Sequence, residues 1–299
     1  MPMADTPNAM TVDVEDYFQV TALEPAIPRA EWDRWPVRVA ANTERVLELF
    51  AAHGVRATFF VLGWVAERFP ALVRRIAEAG HEVASHGYDH RRVTTMRPEE
   101  FRRDVLRARA LLEDTAGVAV RGYRAPSYSI VARTRWAHRI LAETGHVYSS
   151  SVYPVRHDLY GMPDAPREPY RPLPGLLEVP VTTVRVAGRT WPCGGGGFFR
   201  LYPYRLSRWA LRRVNRTEGR PAVFYFHPWE LDPHQPRPKG LPARSRFRHY
   251  LNLGRMQGRL ERLLGDFRWE RMDRVFVEPV SDAPDARPEA AAVGHCGRA

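Results

Sequence analysis

The chain has 299 residues, of which 44% are hydrophobic and 26% charged, a composition typical of a folded globular protein and not of a disordered or fibrous one. Its length fits one barrel-sized domain or two ordinary domains. The formal net charge is +11, but Lys239 is the only lysine and the arginines are scattered, so the charge does not indicate a nucleic-acid partner.

Cysteine content and hydropathy exclude further classes. The only cysteines are Cys193 and Cys296, too few for a disulfide scaffold or a thiolate zinc site. No run approaches the roughly 20 apolar residues of a transmembrane segment. The N-terminus lacks the basic and apolar segments of a secretory signal, so we expect a cytoplasmic protein, with peripheral contact with the membrane as an alternative. The sequence indicates no oligomeric state.

Strands and helices alternate in the first half of the chain. Apolar patterns predict strands at 10–14, 57–63, 81–85 and 118–122, and helices at 37–53, 65–79, 98–114 and 132–144. Repeated strand–helix units of this length indicate a parallel sheet or barrel.

The second half is less regular. The sequence predicts a long surface loop at 153–174, a strand pair at 177–186, a basic helix at 204–215, a buried strand at 221–226, a last helix at 247–267 and a last strand at 274–280. We expect one domain at 10–280, in which about 155–220 form an inserted region with a Gly-rich segment. Residues 1–9 and 281–299 are predicted to be disordered extensions.

Two histidines, His86 and His90, stand four residues apart in SHGYDH, directly after a predicted strand. On a helical turn this spacing places both imidazoles on one side, where they can share one metal ion. The apolar segment TVDVEDYF contains three carboxylates, Asp13, Glu15 and Asp16, which are costly there without a partner. Two histidines and a carboxylate form a metal site with an open position, which is a catalytic arrangement.

Polar residues also follow other predicted strands. Asp13, His86, Arg124 and His227 lie at or just beyond the C-terminal ends of strands, where parallel α/β barrels build their active sites. Asp13 and His227 are candidates for the base and the acid of amide hydrolysis, and Arg124 for orienting the base. The structural alternatives are a helix N-cap for the acids, surface positions for the histidine pair, core packing for His227 and a surface ion pair for Arg124.

Several motifs carry a family resemblance. ATFFVLG, SHGYDH, RAPSYS and FYFH occur in order between Thr11 and His227 and resemble those of NodB-type polysaccharide deacetylases, which are carbohydrate esterases. VDVEDYFQV, RHDLYG, GGGGFFRLYPY and FYFHPWELDP are similar to the subgroup found with exosortase-linked exopolysaccharide loci, which carries a C-terminal extension. The resemblance implies a distorted (β/α)7-type barrel that removes N-acetyl groups from amino sugars with a divalent metal.

The resemblance further implies residue roles. Asp13 is then the general base, His227 the general acid and Arg124 the residue that orients the base, while His86 and His90 bind the metal. We expect Zn²⁺, with Co²⁺, Ni²⁺ and Fe²⁺ as alternatives.

The third metal ligand stays open between two residues. Strand alternation places Glu15 on the same face as Asp13 and favours it, whereas Asp16 fits if the strand ends at Val14. The residues implied in substrate binding are Tyr128, Pro126 and Trp229, with the Tyr128 segment supplying a backbone N–H to the oxyanion. Three further aromatic residues, Tyr153, Trp191 and Phe198, are candidates for stacking on sugar rings.

One position departs from the family. Ser149 stands where relatives generally carry an aspartate, which questions how Arg124 and His227 are tuned. The leading hypothesis is a metal-dependent N-deacetylase acting on N-acetylhexosamine units of an exopolysaccharide or its lipid-linked precursor. The alternatives are a related barrel amidohydrolase acting on a small C–N compound such as a ureide, and a catalytically weakened glycan-binding protein.

Overall fold

A nine-stranded sheet forms the centre of the computed structural model, which describes residues 7–157 and 160–278. Its strands are β1 (Asn8–Val14), β2 (Thr58–Val61), β3 (Glu82–Ser85), β4 (Gly122–Tyr123), β5 (Tyr148–Ser149), β6 (Tyr170–Leu173), β7 (Leu176–Glu178), β10 (Val223–Phe226) and β11 (Trp269–Glu270). The order is β10-β1-β2-β3-β4-β5-β7-β6, with β11 also pairing with β1. All pairs are parallel except β6–β7.

The helices and a separate hairpin surround this sheet. The hairpin is β8 (Thr183–Val186) and β9 (Arg189–Pro192), and the helices are α1 (Val39–Ala52), α2 (Gly63–Arg68), α3 (Pro70–Glu78), α4 (Pro98–Ala116), α5 (Trp136–Glu143), α6 (Gly196–Leu201), α7 (Tyr204–Arg216), α8 (Ala243–Tyr250) and α9 (Leu253–Asp266). Within the described residues, no helix has the length and apolar character needed to cross a bilayer.

The sheet is strongly curled. Strands β1 and β4 are separated by two others, which in a flat sheet corresponds to roughly 14 Å. Nevertheless, the guanidinium of Arg124, just after β4, lies 2.6 Å from the carboxylate of Asp13 on β1. The prediction of a distorted α/β barrel is therefore confirmed, in the form of a curled half-barrel that stays open between β6 and β10.

Alternation along the strands separates two cores. Val12, Phe59 and Phe224 belong to the large cluster formed with the surrounding helices. Their neighbours Phe60 and Val223 point to the opposite face and belong to a smaller cluster on the concave side of the sheet. The C-terminal ends of the parallel strands consequently converge around one site.

Three predicted boundaries need correction. The first strand begins at Asn8, two residues early, because Asn8 and Ala9 pair with β11, so these residues are not disordered. The predicted helix at 65–79 is interrupted because Pro70 starts a new helix. The predicted helix at 247–267 is also two helices, separated where Asn252 adopts a left-handed backbone with φ of 53°.

The remaining corrections concern irregular segments. The predicted loop at 153–174 contains β6, which pairs with β7 across a tight turn. The predicted strand at 274–280 is wrong, because the described part, Asp273–Val277, is a π-helix. Phe276 and Val277 of this helix, and Met272 directly before it, follow a helical spacing and belong to the concave core. Residues 1–6 and the tail at 281–299 lie outside the described residues.

A buried carboxylate holds the N-terminal end of the strands together. Glu82, at the start of β3, accepts hydrogen bonds from the hydroxyl of Thr58 at 2.5 Å, the hydroxyl of Tyr148 at 2.9 Å and the backbone N–H of Asp273 at 3.2 Å. Burial, followed by the nearby Asp273 carboxylate, raises the pKa of Glu82 to about 7. This polar cluster joins β2, β3 and β5 to the C-terminal segment.

We predict that Glu82 makes the stability of the protein pH-dependent. Because its pKa rises from 4.5 unfolded to about 7 folded, the folded state holds an extra proton between these values. The stabilisation is complete below the unfolded pKa and is lost as the pH rises through 7. Urea denaturation of the metal-free proteins should therefore show that wild type loses about 3 kcal/mol of unfolding free energy relative to E82Q as the pH rises across this range. A pH-independent difference would contradict the assignment.

Candidate metal centre and active site

The histidine pair lies in a loop and not on a helical turn, so that part of the prediction is wrong. His86 directly follows β3, and the backbone at Gly87 (φ 77°) and His90 (φ 59°) is left-handed. These two positions fold the loop back so that the imidazole centroids lie 5.4 Å apart. A side chain at Gly87 would also approach the Asp104 carboxylate, with its Cβ only 3.0 Å away. The glycine thus permits the close approach of the two histidines.

Glu15 joins the two histidines from the end of β1. Its Oε2 atom lies 2.8 Å from His90 Nε2 and 3.8 Å from His86 Nε2, and all three side chains are buried. One ligand atom from each of the three residues lies within 4.8 Å of the others. The chain thus assembles two imidazoles and a carboxylate from two distant segments.

The cluster has the chemistry of a divalent-cation site. Glu15 Oε2 is buried and has no hydrogen-bond donor, although His90 is close. His86 Nδ1 lies 2.8 Å from the carbonyl oxygen of Arg124, which fixes Nδ1 as the donor and leaves Nε2 free as a ligand. Burial lowers the pKa of His86 to about 4, so its ring is neutral, as metal binding requires. The residues present therefore fit a metal ion.

Asp16 has a different role. Its carboxylate accepts hydrogen bonds from the backbone N–H groups of Tyr17 at 2.8 Å, Arg38 at 2.6 Å and Val39 at 2.8 Å. It therefore caps the short 3-10 helix Tyr17–Gln19 and holds the first residues of α1. The helix-cap alternative thus describes Asp16, and the structure does not bring this residue to the histidine pair.

Asp13 is held by a buried arginine. The Nη1 atom of Arg124 lies 2.6 Å from Asp13 Oδ1 and also donates to the hydroxyl of Thr11 at 2.7 Å. The other guanidinium nitrogens donate to the carbonyl and the hydroxyl of Ser150 at 3.1 and 3.0 Å. Arg124 is fully buried, with its guanidinium 4.0 Å from the centroid of the Phe60 ring. It is therefore not a surface ion pair.

Ser149 does not contact this arginine. Its hydroxyl donates to the hydroxyl of Ser151 at 2.8 Å. Glu178 Oε1 accepts the backbone N–H groups of Ser151 and Val152, both at 2.8 Å. The serine that contacts Arg124 is the next residue, so the charge of Arg124 is met by Asp13 and by neutral oxygens.

His227 is coupled to a charged chain behind it. Its Nδ1 lies 2.9 Å from Glu230 Oε1, and Arg200 Nε donates to Glu230 Oε2 at 2.6 Å. Its Nε2 faces the site, 3.9 Å from Asp13 and 3.5 Å from Glu15. Burial alone would lower the pKa of His227, but the carboxylates of Glu15 and Glu230 raise it to about 9. The imidazole is thus protonated at neutral pH.

The sequence analysis does not identify Glu230 or Arg200 as site residues. The signal for Glu230 is its spacing in HPWE, because a glutamate three residues after the start of a turn reaches back to it, and its carboxylate indeed accepts the His227 backbone N–H at 3.1 Å. Arg200 lies 30 residues from Glu230 and gives no local signal. The Gly-rich segment has its explanation here: a Cβ at Gly196 would lie 2.2 Å from the Glu230 carboxylate.

The three residues predicted to bind substrate have different positions in the structure. Trp229 stacks against His227 and His249 and its Nε1 donates to Glu15 at 3.3 Å, so its ring positions other site residues. Pro126 is buried and begins the turn that carries Tyr128. Tyr128 lines the pocket, but its backbone N–H donates to the carbonyl of Ala125 at 3.0 Å, so the amide is already engaged.

The other predicted aromatic residues lie outside the pocket. Tyr153 is fully buried and packs edge-on against Tyr128. Trp191 lies on β9 and lines a separate groove, while Phe198 lines a groove next to the site. Tyr225, which the sequence analysis does not single out, lines the pocket itself.

One pocket of about 190 Å³ brings the candidate site residues together. Its walls include Asp13, Glu15, His86, His90 and His227. It shares Tyr160, Gly197, Tyr225 and Arg248 with a second groove of about 610 Å³. The arrangement combines a metal-binding cluster, an arginine-held carboxylate and a protonated imidazole.

Sequence comparisons divide the chain into two segments. Residues 31–146 match the polysaccharide deacetylase family, and residues 150–277 match a domain of unknown function, DUF3473. His86, His90 and Arg124 fall in the first segment and His227 in the second. Strand β10 of the second segment pairs with β1, and β7 pairs with β5, so both strands belong to the same sheet as β2, β3 and β4 of the first segment.

Two curated relatives match the first segment. The chain is 35% identical over 96 residues to a peptidoglycan-N-acetylglucosamine deacetylase of Bacillus cereus, covering 32% of this chain and 35% of the relative. It is 36% identical over 112 residues to a chitooligosaccharide deacetylase of Sinorhizobium fredii, covering 37% and 49%. The matched region thus spans about a third to a half of these relatives.

A solved structure matches the fold over nearly the full length. The protein is from Mycobacterium smegmatis and is described as a polysaccharide deacetylase; it aligns with a TM-score of 0.61 and 23% identity over 97% of each chain. At this identity the likeness concerns the fold. The family match and the curated relatives thus concern the first segment, whereas the solved structure shows a similar fold over nearly the whole length.

Proposed function

We propose that this protein is a metal-dependent N-deacetylase that hydrolyses the acetamido groups of N-acetylhexosamine units in an exopolysaccharide or its precursor. The observation that carries the proposal is the single pocket in which Asp13 and His227 accompany the cluster of Glu15, His86 and His90. A carboxylate and a protonated imidazole beside a cation site are the groups that amide hydrolysis requires.

Glu15, His86 and His90 would hold the metal ion. Two imidazoles and one carboxylate suit Zn²⁺, with Co²⁺, Ni²⁺ and Fe²⁺ as alternatives, and leave positions for water and substrate. When bound, a divalent cation polarises an acyl oxygen and lowers the pKa of a coordinated water.

The protein's own residues would carry the protons. Asp13 takes a proton from the attacking water, and the Arg124 guanidinium at 2.6 Å orients its carboxylate. Water oxygen then bonds to the acetyl carbon, and the C–N bond breaks with its electron pair leaving on nitrogen. His227, charged through Glu15 and Glu230, donates a proton to that nitrogen. The products are acetate and the free amine of the sugar.

The shape of the site supports a glycan substrate. The pocket of about 190 Å³ opens to a groove of about 610 Å³, which offers room for sugar units beside the one that reacts. The two curated relatives are named for N-acetylated sugar substrates, peptidoglycan N-acetylglucosamine and chitooligosaccharide. The exopolysaccharide assignment rests on the motifs similar to the exosortase-linked subgroup, and the cytoplasmic location stays a prediction.

We predict that acetate release requires the metal cluster. The chain incubated with N-acetylglucosamine oligomers, peptidoglycan fragments and N-acetylated exopolysaccharide should release acetate from the polysaccharide, and chelation should abolish the release. D13N and H86A should each lower kcat by at least about 100-fold, because they remove the base and a ligand. Acetate release by metal-free H86A at the wild-type rate would contradict the proposal.

Glu15 and Asp16 provide a matched pair of variants. We predict that E15Q loses stoichiometric zinc, because the Glu15 carboxylate lies beside both histidines of the metal cluster. D16A should keep one zinc per chain but lose roughly 2 kcal/mol or more of stability, because three backbone N–H groups lose their acceptor. Metal analysis with urea denaturation separates the two, and the reverse pattern would make Asp16 the ligand.

The pH profile of the reaction tests His227. Its protonated form is the active one, so activity falls as the pH rises through its pKa. We predict that E230Q moves the basic limb of kcat to lower pH, because the Glu230 carboxylate raises the pKa of His227. The E67Q variant, which changes an exposed carboxylate on α2, should leave the limb in place. An identical basic limb in wild type and E230Q would remove His227 from the acid role.

A further inference from the structure

A second concave surface lies away from the catalytic pocket. The hairpin β8–β9 and helix α7 enclose an apolar groove of about 690 Å³. Its exposed apolar side chains are Trp191, Leu206 and Trp209, with exposed fractions of 48%, 44% and 44%. Aromatic and aliphatic side chains exposed together in one groove mark a surface that is covered by something else.

A row of arginines borders this groove. Helix α7 carries Arg205, Arg208, Arg212, Arg213 and Arg216, at spacings that place them along one face. Trp209 lines both the apolar groove and the depression between these arginines, so the two surfaces adjoin there.

Most of this positive charge is uncompensated. Asp266 lies 3.0 Å from Arg208 and 3.7 Å from Arg212, which neutralises part of the row. Arg205 and Arg216 are exposed and have no ion-pair partner within the described ranges 7–157 and 160–278.

We propose that the groove and its arginine row form a docking surface for an anionic lipid bilayer. A bilayer presents phosphate groups directly beside apolar chains, which matches an arginine row directly beside an apolar groove. Tryptophan side chains favour this interfacial depth, and basic residues on an amphipathic helix are attracted to anionic headgroups. The surface thus fits a membrane interface in both charge and polarity.

Other occupants fit less well. A nucleic acid supplies the negative charge but offers no apolar surface for Trp191 and Leu206. A second copy of this chain bound symmetrically would bring one arginine row against another, and like charges repel. The bilayer satisfies both halves of the surface.

Residues of the docking surface are near residues of the proposed active site in the sequence. Gly197 and Arg200 on α6 line the catalytic pocket, and Tyr202, two residues after Arg200, lines the apolar groove. Docking would therefore bring the catalytic pocket near the membrane, although the proposal does not depend on catalysis.

Vesicle co-sedimentation of the full chain tests the proposal. We expect binding to phosphatidylcholine vesicles that contain phosphatidylglycerol, little binding to phosphatidylcholine alone, and weakening by salt. R205Q/R216Q should lower the partition coefficient about 10- to 30-fold, because each arginine near an anionic surface contributes to binding. L206S/W209S should lower it by at least about tenfold, because it removes the inserted apolar groups.

The control is R133Q/R139Q, which removes two exposed arginines near and on α5. It should bind vesicles as wild type does, and all three variants should keep the wild-type unfolding temperature, which excludes misfolding as the cause. Equal losses in R205Q/R216Q and the control would overturn the proposal in favour of diffuse charge. Unchanged binding by L206S/W209S would contradict insertion into the bilayer and indicate general adsorption to polyanions. A dimer in light scattering that L206S/W209S dissociates would assign the groove to a second copy.

Discussion

The buried contact between Arg124 and Asp13 connects the parts of the site. Arg124 enters from the end of β4, and its guanidinium donates to Asp13 and Thr11 on β1 and to Ser150 after β5. Its carbonyl oxygen also fixes His86 after β3. One residue therefore joins the ends of four strands and sets the orientation of both the proposed base and a proposed metal ligand.

This pair has a thermodynamic consequence as well. Removing one partner of a buried ion pair leaves the other charge without compensation, at a cost of about 3–5 kcal/mol. The curl of the sheet and the chemistry of the site thus depend on the same contact. A substitution of Arg124 would affect folding and catalysis together, whereas substitutions of Glu15, Asp16 and Glu230 leave this ion pair intact.

Local patterns in the sequence were sufficient to predict the α/β barrel and to identify most of the residues that the structure brings together. The apolar strands, each followed by a polar residue, predicted that Asp13, His86, Arg124 and His227 converge. What failed was local backbone geometry: His90 adopts a left-handed conformation that its spacing from His86 cannot reveal. Likewise, the apolar residues near the C-terminus read as a strand, although packing on the concave core makes them a π-helix.

Long-range contacts explain the other omissions. Arg200 reaches Glu230 across 30 residues, and Ser150 reaches Arg124 across 26, so neither pair has a periodic signature. Trp229 was expected on the substrate, but its stacking on His227 and His249 depends on how α8 packs, which no local pattern encodes.

The two matched segments have complementary roles in one site. The first supplies His86, His90 and Arg124, whereas the second supplies His227 and the Glu230–Arg200 ion pair behind it. The proposed membrane surface also lies in the second segment. Both matched segments, together with Asp13 and Glu15 from β1 and the residues after it, thus line one pocket.

The most direct test is a metal titration of the metal-free protein during acetate release from an N-acetylated polysaccharide. We expect the rate to rise linearly with added Zn²⁺ and to reach its plateau at one ion per chain. D16A should follow the same titration per folded molecule, whereas E15Q should remain at the background rate. Full activity before any metal is added, or a plateau in E15Q equal to that of wild type, would contradict the account.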